Sequence, residues 1–125
     1  MKRLIAGVLG IANALNGLTM LIAGPLWYAS VPGVPDTGPF NPHFVMDIGA
    51  ADLVAGIALV VGAWRPTYWP AAVAGAAFIA LHGLIHLVSI VSGHNHHATF
   101  DLLAVVIPSA LALYCALPDK GVRHA

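Results

Sequence analysis

HGLIHLVSIVSGHNHH, from His82 to His97, holds five of the chain's seven histidines. It begins as an apolar helix and ends as a polar loop, so the fold turns on what such a helix is embedded in. Extended backwards, the apolar run covers Ala71 to Val91. A helix that crosses a bilayer needs about 20 mostly apolar residues. The chain supplies three more runs of this kind: Leu4 to Leu26, Phe44 to Ala63, and Phe100 to Leu117. Between them, GPLWYASVPGVPDTGPFNPH (Gly24 to His43) carries five prolines and no helical period, which predicts turns. WRPTYWP and SGHNHH read as short turns, and PDKGVRHA as a polar tail.

Composition points the same way. The 125 residues are 59% hydrophobic and 8% charged. Soluble domains carry about 25% charged residues, so this chain cannot cover its own surface with charge. Net charge is zero with neutral histidines, which removes the case for nucleic-acid binding. The single cysteine, Cys115, excludes an internal disulfide and a cysteine-based zinc motif. The expected fold is therefore an all-α, polytopic membrane four-helix bundle, one domain over residues 1–125.

Lys2, Arg3, Arg65, Lys120 and Arg123 all fall on one side of this topology. The positive-inside rule puts that side, with both termini, in the cytoplasm. The Pro-rich and His-rich loops then face the periplasm across a bacterial inner membrane. Trp27 and Tyr28 are expected at the outer interface, and Trp64, Tyr68 and Trp69 at the inner one. MKR could open a cleaved signal peptide, but the apolar run behind it is longer than a typical signal core.

That run also belongs to an internal repeat. ALNGLTML (Ala14 to Leu21) matches ALHGLIHL (Ala80 to Leu87), and NPHFVMD (Asn41 to Asp47) matches NHHATFD (Asn95 to Asp101). The second match shares N-x-H-x-x-x-D. The simplest account is a duplicated helical hairpin.

His43/Asp47, His82/His86 and His97/Asp101 are each spaced i, i+4, which stacks two side chains on one helix face. Such a pair can grip one metal ion. All three pairs fall in the outer half of the expected bundle. With inward faces they make one pocket of imidazoles from His43, His82, His86 and His97 and carboxylates from Asp47 and Asp101, with His94 and His96 above it. This N/O set suits Zn, Fe, Mn or Cu(II). The aspartates could be ligands, or could accept the spare histidine N–H and fix its tautomer. The same residues have plainer uses. Asn41–Pro42 and Asn95 are helix caps, and Asp47 and Asp101 suit helix N-termini. His82 and His86 lie deeper, where polar groups are expensive and face a bundle interior or a wet cavity; an interhelical hydrogen-bond network is the plain alternative. Asp52, near mid-membrane, needs a partner, and Asn13 and Asn16 are the natural ones. Met20 and Met46 could offer thioethers to Cu(I), though methionine in an apolar helix is ordinarily packing.

WYASVPGVPDTGPFNPHFVMDIGAADLVAG, from Trp27 to Gly56, resembles a group of small four-helix bacterial membrane proteins, DoxX-like in size and topology. The resemblance covers most of the chain and implies fold and location but no activity. HGLIH and HNHH look like the histidine boxes of fatty-acid desaturases and hydroxylases. That likeness would make His82, His86, His94, His96 and His97 iron ligands, although those enzymes are longer and carry their boxes on the cytoplasmic side. Haem held by two histidines would need His82 or His86 paired with His43 or His97, because His82 and His86 share one face.

The leading expectation is a membrane metalloprotein with a non-haem Zn, Fe or Cu site in its outer half, an oxidoreductase or hydrolase in which the metal activates water or oxygen and Asp101 or Asp47 is the base. The alternatives are a non-enzymatic metal-binding or transfer protein, favoured by a polar path past His86 toward Asp52, and an accessory subunit of a larger membrane complex or homo-oligomer. Lipid and the metal ion are the expected partners.

Overall fold

The computed structural model describes residues 1–118. The tail residues Lys120 and Arg123, which contribute to the orientation argument, lie outside the described residues. Four helices account for the architecture: α1 (Lys2–Ser30), α2 (Pro42–Trp64), α3 (Trp69–Val91) and α4 (Ala98–Ala116). Each is long and apolar enough to cross a membrane. Short 3-10 turns, Val34–Thr37 and Pro66–Tyr68, lie in the first two connections. The helices run up and down around the bundle in chain order, with α4 closing back on α1.

Local chemistry sets the ends. The Asn41 side chain accepts the Phe44 N–H at 3.1 Å and Pro42 takes the first helical position, which starts α2. Arg3 closes its far end by donating from Nε to Ala63 O and from Nη2 to Trp64 O, both at 2.7 Å. Those carbonyls lack helical partners, and a cation is favoured at a helix C-terminus. Gly93, with φ 71°, ends α3. The Gly93 N–H returns to Ile90 O and the His94 N–H to Ser89 O, a Schellman motif that only a left-handed residue permits.

The core is built from small residues. Ala55, Leu59, Ala72, Ala76, Ile79, Ala112 and Ala116 form its buried centre. The large aliphatics point out instead: Leu4, Leu15, Ile22, Leu26, Val54, Ile85 and Leu103 are all more than half exposed. Such a surface would drive association in water but suits lipid, where helices attract each other by close packing of small residues. Gly10 and Gly17 of α1 face Gly56 and Gly49 of α2. A side chain at Gly49 would stand 2.7 Å from Met20 Cβ, and one at Gly10 would stand 2.8 Å from Gly56 O. Gly83 plays the same part on α3, where an added Cβ would meet Ser109 Cβ of α4 at 2.7 Å.

Two features depart from the sequence expectation. The first helix does not stop near Leu26 but continues to Ser30, through a break at Ala23 (φ −139°, ψ 38°) just before Gly24 and Pro25. Proline lacks the N–H needed at this point and its ring crowds the preceding turn, so the helix bends there and resumes. In α4, residues Leu102–Val106 form a π-helical turn ahead of Ile107–Ala116. Pro108 follows this turn and removes a helical donor, which favours a change of register.

Candidate functional site

The bundle has a basic end, with Lys2, Arg3 and Arg65, and a histidine end, with His43, Asp36 and His97. The candidate site lies in the histidine half and draws on every helix.

Asp101 is held from two sides. The residue is 6% exposed although it stands in the first turn of α4. His86 Nδ1 of α3 lies 2.5 Å from its Oδ2, and Asn95 Nδ2 donates to the same oxygen at 2.6 Å. Asn95 in turn accepts the His97 N–H at 2.8 Å, which fixes the loop that carries it. The carboxylate is thus held from the helix below and the loop above. With the carboxylate ionised and the imidazole N–H donating, such a contact is a charge-assisted bond.

His82 lies one turn deeper on α3. Its ring meets that of His86 edge to face, with centroids 4.8 Å apart. Asp52 of α2 and Asp101 both lie near enough to act on its charge. Asp52 is 9% exposed and accepts from Asn16 Nδ2 of α1 at 2.9 Å. Asn16 Oδ1 accepts the Trp27 indole N–H, also at 2.9 Å. The result is two polar clusters in one half of the bundle: Asn95, Asp101, His86 and His82 in contact on one side, and Asp52, Asn16 and Trp27 bonded together on the other. Toward the basic end they meet an apolar floor, where Leu59, Ala76 and Ala112 have no exposed surface. Among the described residues no buried side-chain polar atom lacks a partner.

The single pocket expected from four imidazoles and two carboxylates is not assembled this way. His86, His82 and Asp101 are brought together; the others are not. His43 pairs with Asp47, at 3.7 Å, with side chains 88% and 63% exposed. The reason is helical phase. Val45, Gly49, Asp52 and Gly56 form the buried stripe of α2. His43 and Asp47 each stand two residues from Val45, about 160° around the helix at about 100° per residue. His97 turns away to Asp36 of the Pro-rich loop, with Nε2 3.1 Å from Oδ2, and its ring covers Gly33. Among the described residues no three or more histidine, cysteine, aspartate or glutamate side chains are grouped to hold a metal ion.

Of the two asparagines expected beside Asp52, Asn16 takes the role and Asn13 does not. Asn13 Nδ2 bonds to Leu9 O of its own helix. Trp27, expected as an interfacial anchor, sends its N–H back to Asn16, because the bend at Ala23 folds the last turns of α1 over. Sequence reasoning passed over Asp36 entirely, since nothing local marks it as the partner of His97. It took Asn95 for a helix cap, although the side chain binds Asp101.

No protein-family model, curated protein or solved structure matches the chain. The fold and the centre together define a class only: a small α-helical bundle with spans of membrane length and a group of buried acids and half-buried imidazoles in one half. The DoxX-like resemblance rests on the sequence segment that carries it.

Proposed function

We propose that the protein is an integral membrane protein whose histidine half houses a proton-exchanging centre, the relay Asp52–His82–His86–Asp101. The observation that carries this is a pair of imidazoles in ring contact with a carboxylate to either side at membrane depth, drawn from three helices and closed below by an apolar floor. Ionisable groups cost free energy within a bilayer and mark ion pathways or proton relays. The bond between His86 and Asp101 lets one proton sit on either partner. His82 stands between that pair and Asp52, so a charge arriving at one end is felt at the other. The dry floor makes the centre a one-sided site that loads and unloads at the histidine end. By the distribution of Lys2, Arg3 and Arg65, that end faces the periplasm.

Infrared difference spectroscopy after a pH jump tests the reading. Carboxyl and imidazole bands should change together in the wild type. Asp52→Asn should remove one carboxyl component, and Asp101→Asn should remove another and shift the imidazole band. A spectrum that no pH change alters, or that both substitutions leave intact, overturns it.

A second reading keeps the metal: a Zn, Fe or Cu ion on His82 and His86. It is favoured by the i, i+4 pair and by the Asp101 contact, since ligating histidines commonly give their other ring nitrogen to a carboxylate. Asp101 is then an orienting group, and two protein ligands leave the remaining positions to water or a ligand, an exchangeable site. Protein purified without a histidine tag should then carry stoichiometric metal, lost in both His82→Ala and His86→Ala. Unchanged metal content in these variants excludes the site.

A further inference from the structure

The relay is latched at its aqueous end but thinly covered on one flank. At the histidine end the Asp36–His97 pair ties the Pro-rich loop to the loop before α4, and Gly33 lies under the His97 ring. On the flank, Asn16 is exposed on the surface of α1 among Leu15, Leu18 and Ile22, which are 57%, 40% and 76% exposed. An amide among aliphatics on a lipid-facing surface is costly unless its polar atoms are satisfied. Here its N–H goes inward to Asp52, and its carbonyl is satisfied by Trp27 alone among the contacts described above. Trp27 belongs to the segment beyond the break at Ala23. That segment is otherwise held by Tyr28, whose hydroxyl bonds to Gly38 O and whose ring packs edge-on against Phe40 at 5.4 Å.

We propose that this last part of α1 is a lateral gate: it pivots at Ala23–Pro25, lifts the Trp27 indole from Asn16, and opens the flank of Asp52 to the bilayer. The ligand chemistry it suits follows from the bond it breaks. Lifting the indole leaves the Asn16 carbonyl without its donor, next to the Asp52 carboxylate. The matching ligand is a lipid-soluble molecule carrying an O–H or N–H group, which replaces the indole N–H and reaches the relay from the side. This inference rests on the relay being a working site, but its test does not depend on proton exchange.

The probe is a pair of carbodiimides that modify carboxyl groups, one lipid-soluble (dicyclohexylcarbodiimide) and one water-soluble, applied to the full chain in vesicles and read by mass spectrometry at Asp52. One hydrogen bond of about 0.5–1.5 kcal/mol corresponds to about two- to tenfold in the open population. Trp27→Ala should raise lipid-soluble labelling of Asp52 by that factor. Trp27→Phe, which keeps an aromatic ring and loses only the N–H, should raise it in the same direction and guards against a misfolded alanine variant. Labelling by the water-soluble reagent should not change at Asp52, and surface Asp47 serves as the internal standard. Equal rates at Asp52 in wild type and both variants, including no reaction in any, overturn the gate. So does a rise with the water-soluble reagent, which would place the opening on the aqueous side. Either failure leaves the infrared test of the relay standing.

Discussion

The two N-x-H-x-x-x-D segments have matching sequence and opposite fates. In the first, Asn41 caps α2 and the His43–Asp47 pair stands in the open. In the second, Asn95 lies ahead of the cap position, accepts the His97 N–H and donates to Asp101, Asp101 is buried against His86, and His97 leaves its i, i+4 aspartate for Asp36. A shared motif therefore fixes neither where its helix starts, Pro42 next to the first asparagine but Ala98 three residues past the second, nor what its side chains do. The deciding factor is the partner helix. The first segment's aspartate lies opposite the stripe that packs on α1. The second segment's aspartate faces a histidine that α3 presents at the same depth.

The sharpest way to break this contrast is to remove both aspartates in turn. Asp101→Ala leaves the His86 ring and the Asn95 amide without their shared acceptor. Removing one partner of a buried, hydrogen-bonded pair costs about 3–5 kcal/mol, so unfolding in detergent should shift strongly. Asp47→Ala, on the surface, should stay within about 0.5 kcal/mol of wild type. Equal effects would mean that the two segments are interchangeable after all.

The asparagines should separate by kind more than by size. Asn41→Ala loses a helix cap, about 0.5–2 kcal/mol, and should leave the His86 ring resonances where they are. Asn95→Ala loses one of two bonds to Asp101 and should move those resonances at a comparable cost in stability. A shift of His86 in the Asn41 variant, or none in the Asn95 variant, would reverse the roles given to them.

Much of the fold was legible because lipid demands it: four apolar runs separated by proline and glycine leave little choice of topology. Part of the centre was legible too. The spacing puts His82 and His86 on one face, where their rings meet, and it pairs Asp52 with Asn16, which donates to it. The single pocket was a misreading that the sequence itself could have corrected. Gly49 and Gly56 share a face with Asp52, and that face cannot also present Asp47. What no local pattern could reveal is long-range pairing. Asp36 and His97 are far apart in sequence, and the reach of Trp27 to Asn16 depends on a bend whose angle proline does not specify. The π turn in α4 is similar: Pro108 signals a disturbance without fixing its form.

The smallest expected difference lies between the two motif histidines. His97→Ala breaks the tie to Asp36 and uncovers Gly33. Half-exposed ion pairs contribute about 0–1 kcal/mol, so stability should barely fall. The consequence to look for is local: amide exchange should quicken in the Pro-rich loop around Val34–Thr37 while the cores of α2 and α3 stay protected. His43→Ala removes an exposed side chain that pairs with an exposed aspartate on its own helix, and exchange should not change anywhere. If the loop exchanges equally fast in both variants, Asp36–His97 is a surface contact without consequence. The histidine end would then be closed by Tyr28, Phe40 and the bend in α1, and the second motif would differ from the first only through its aspartate.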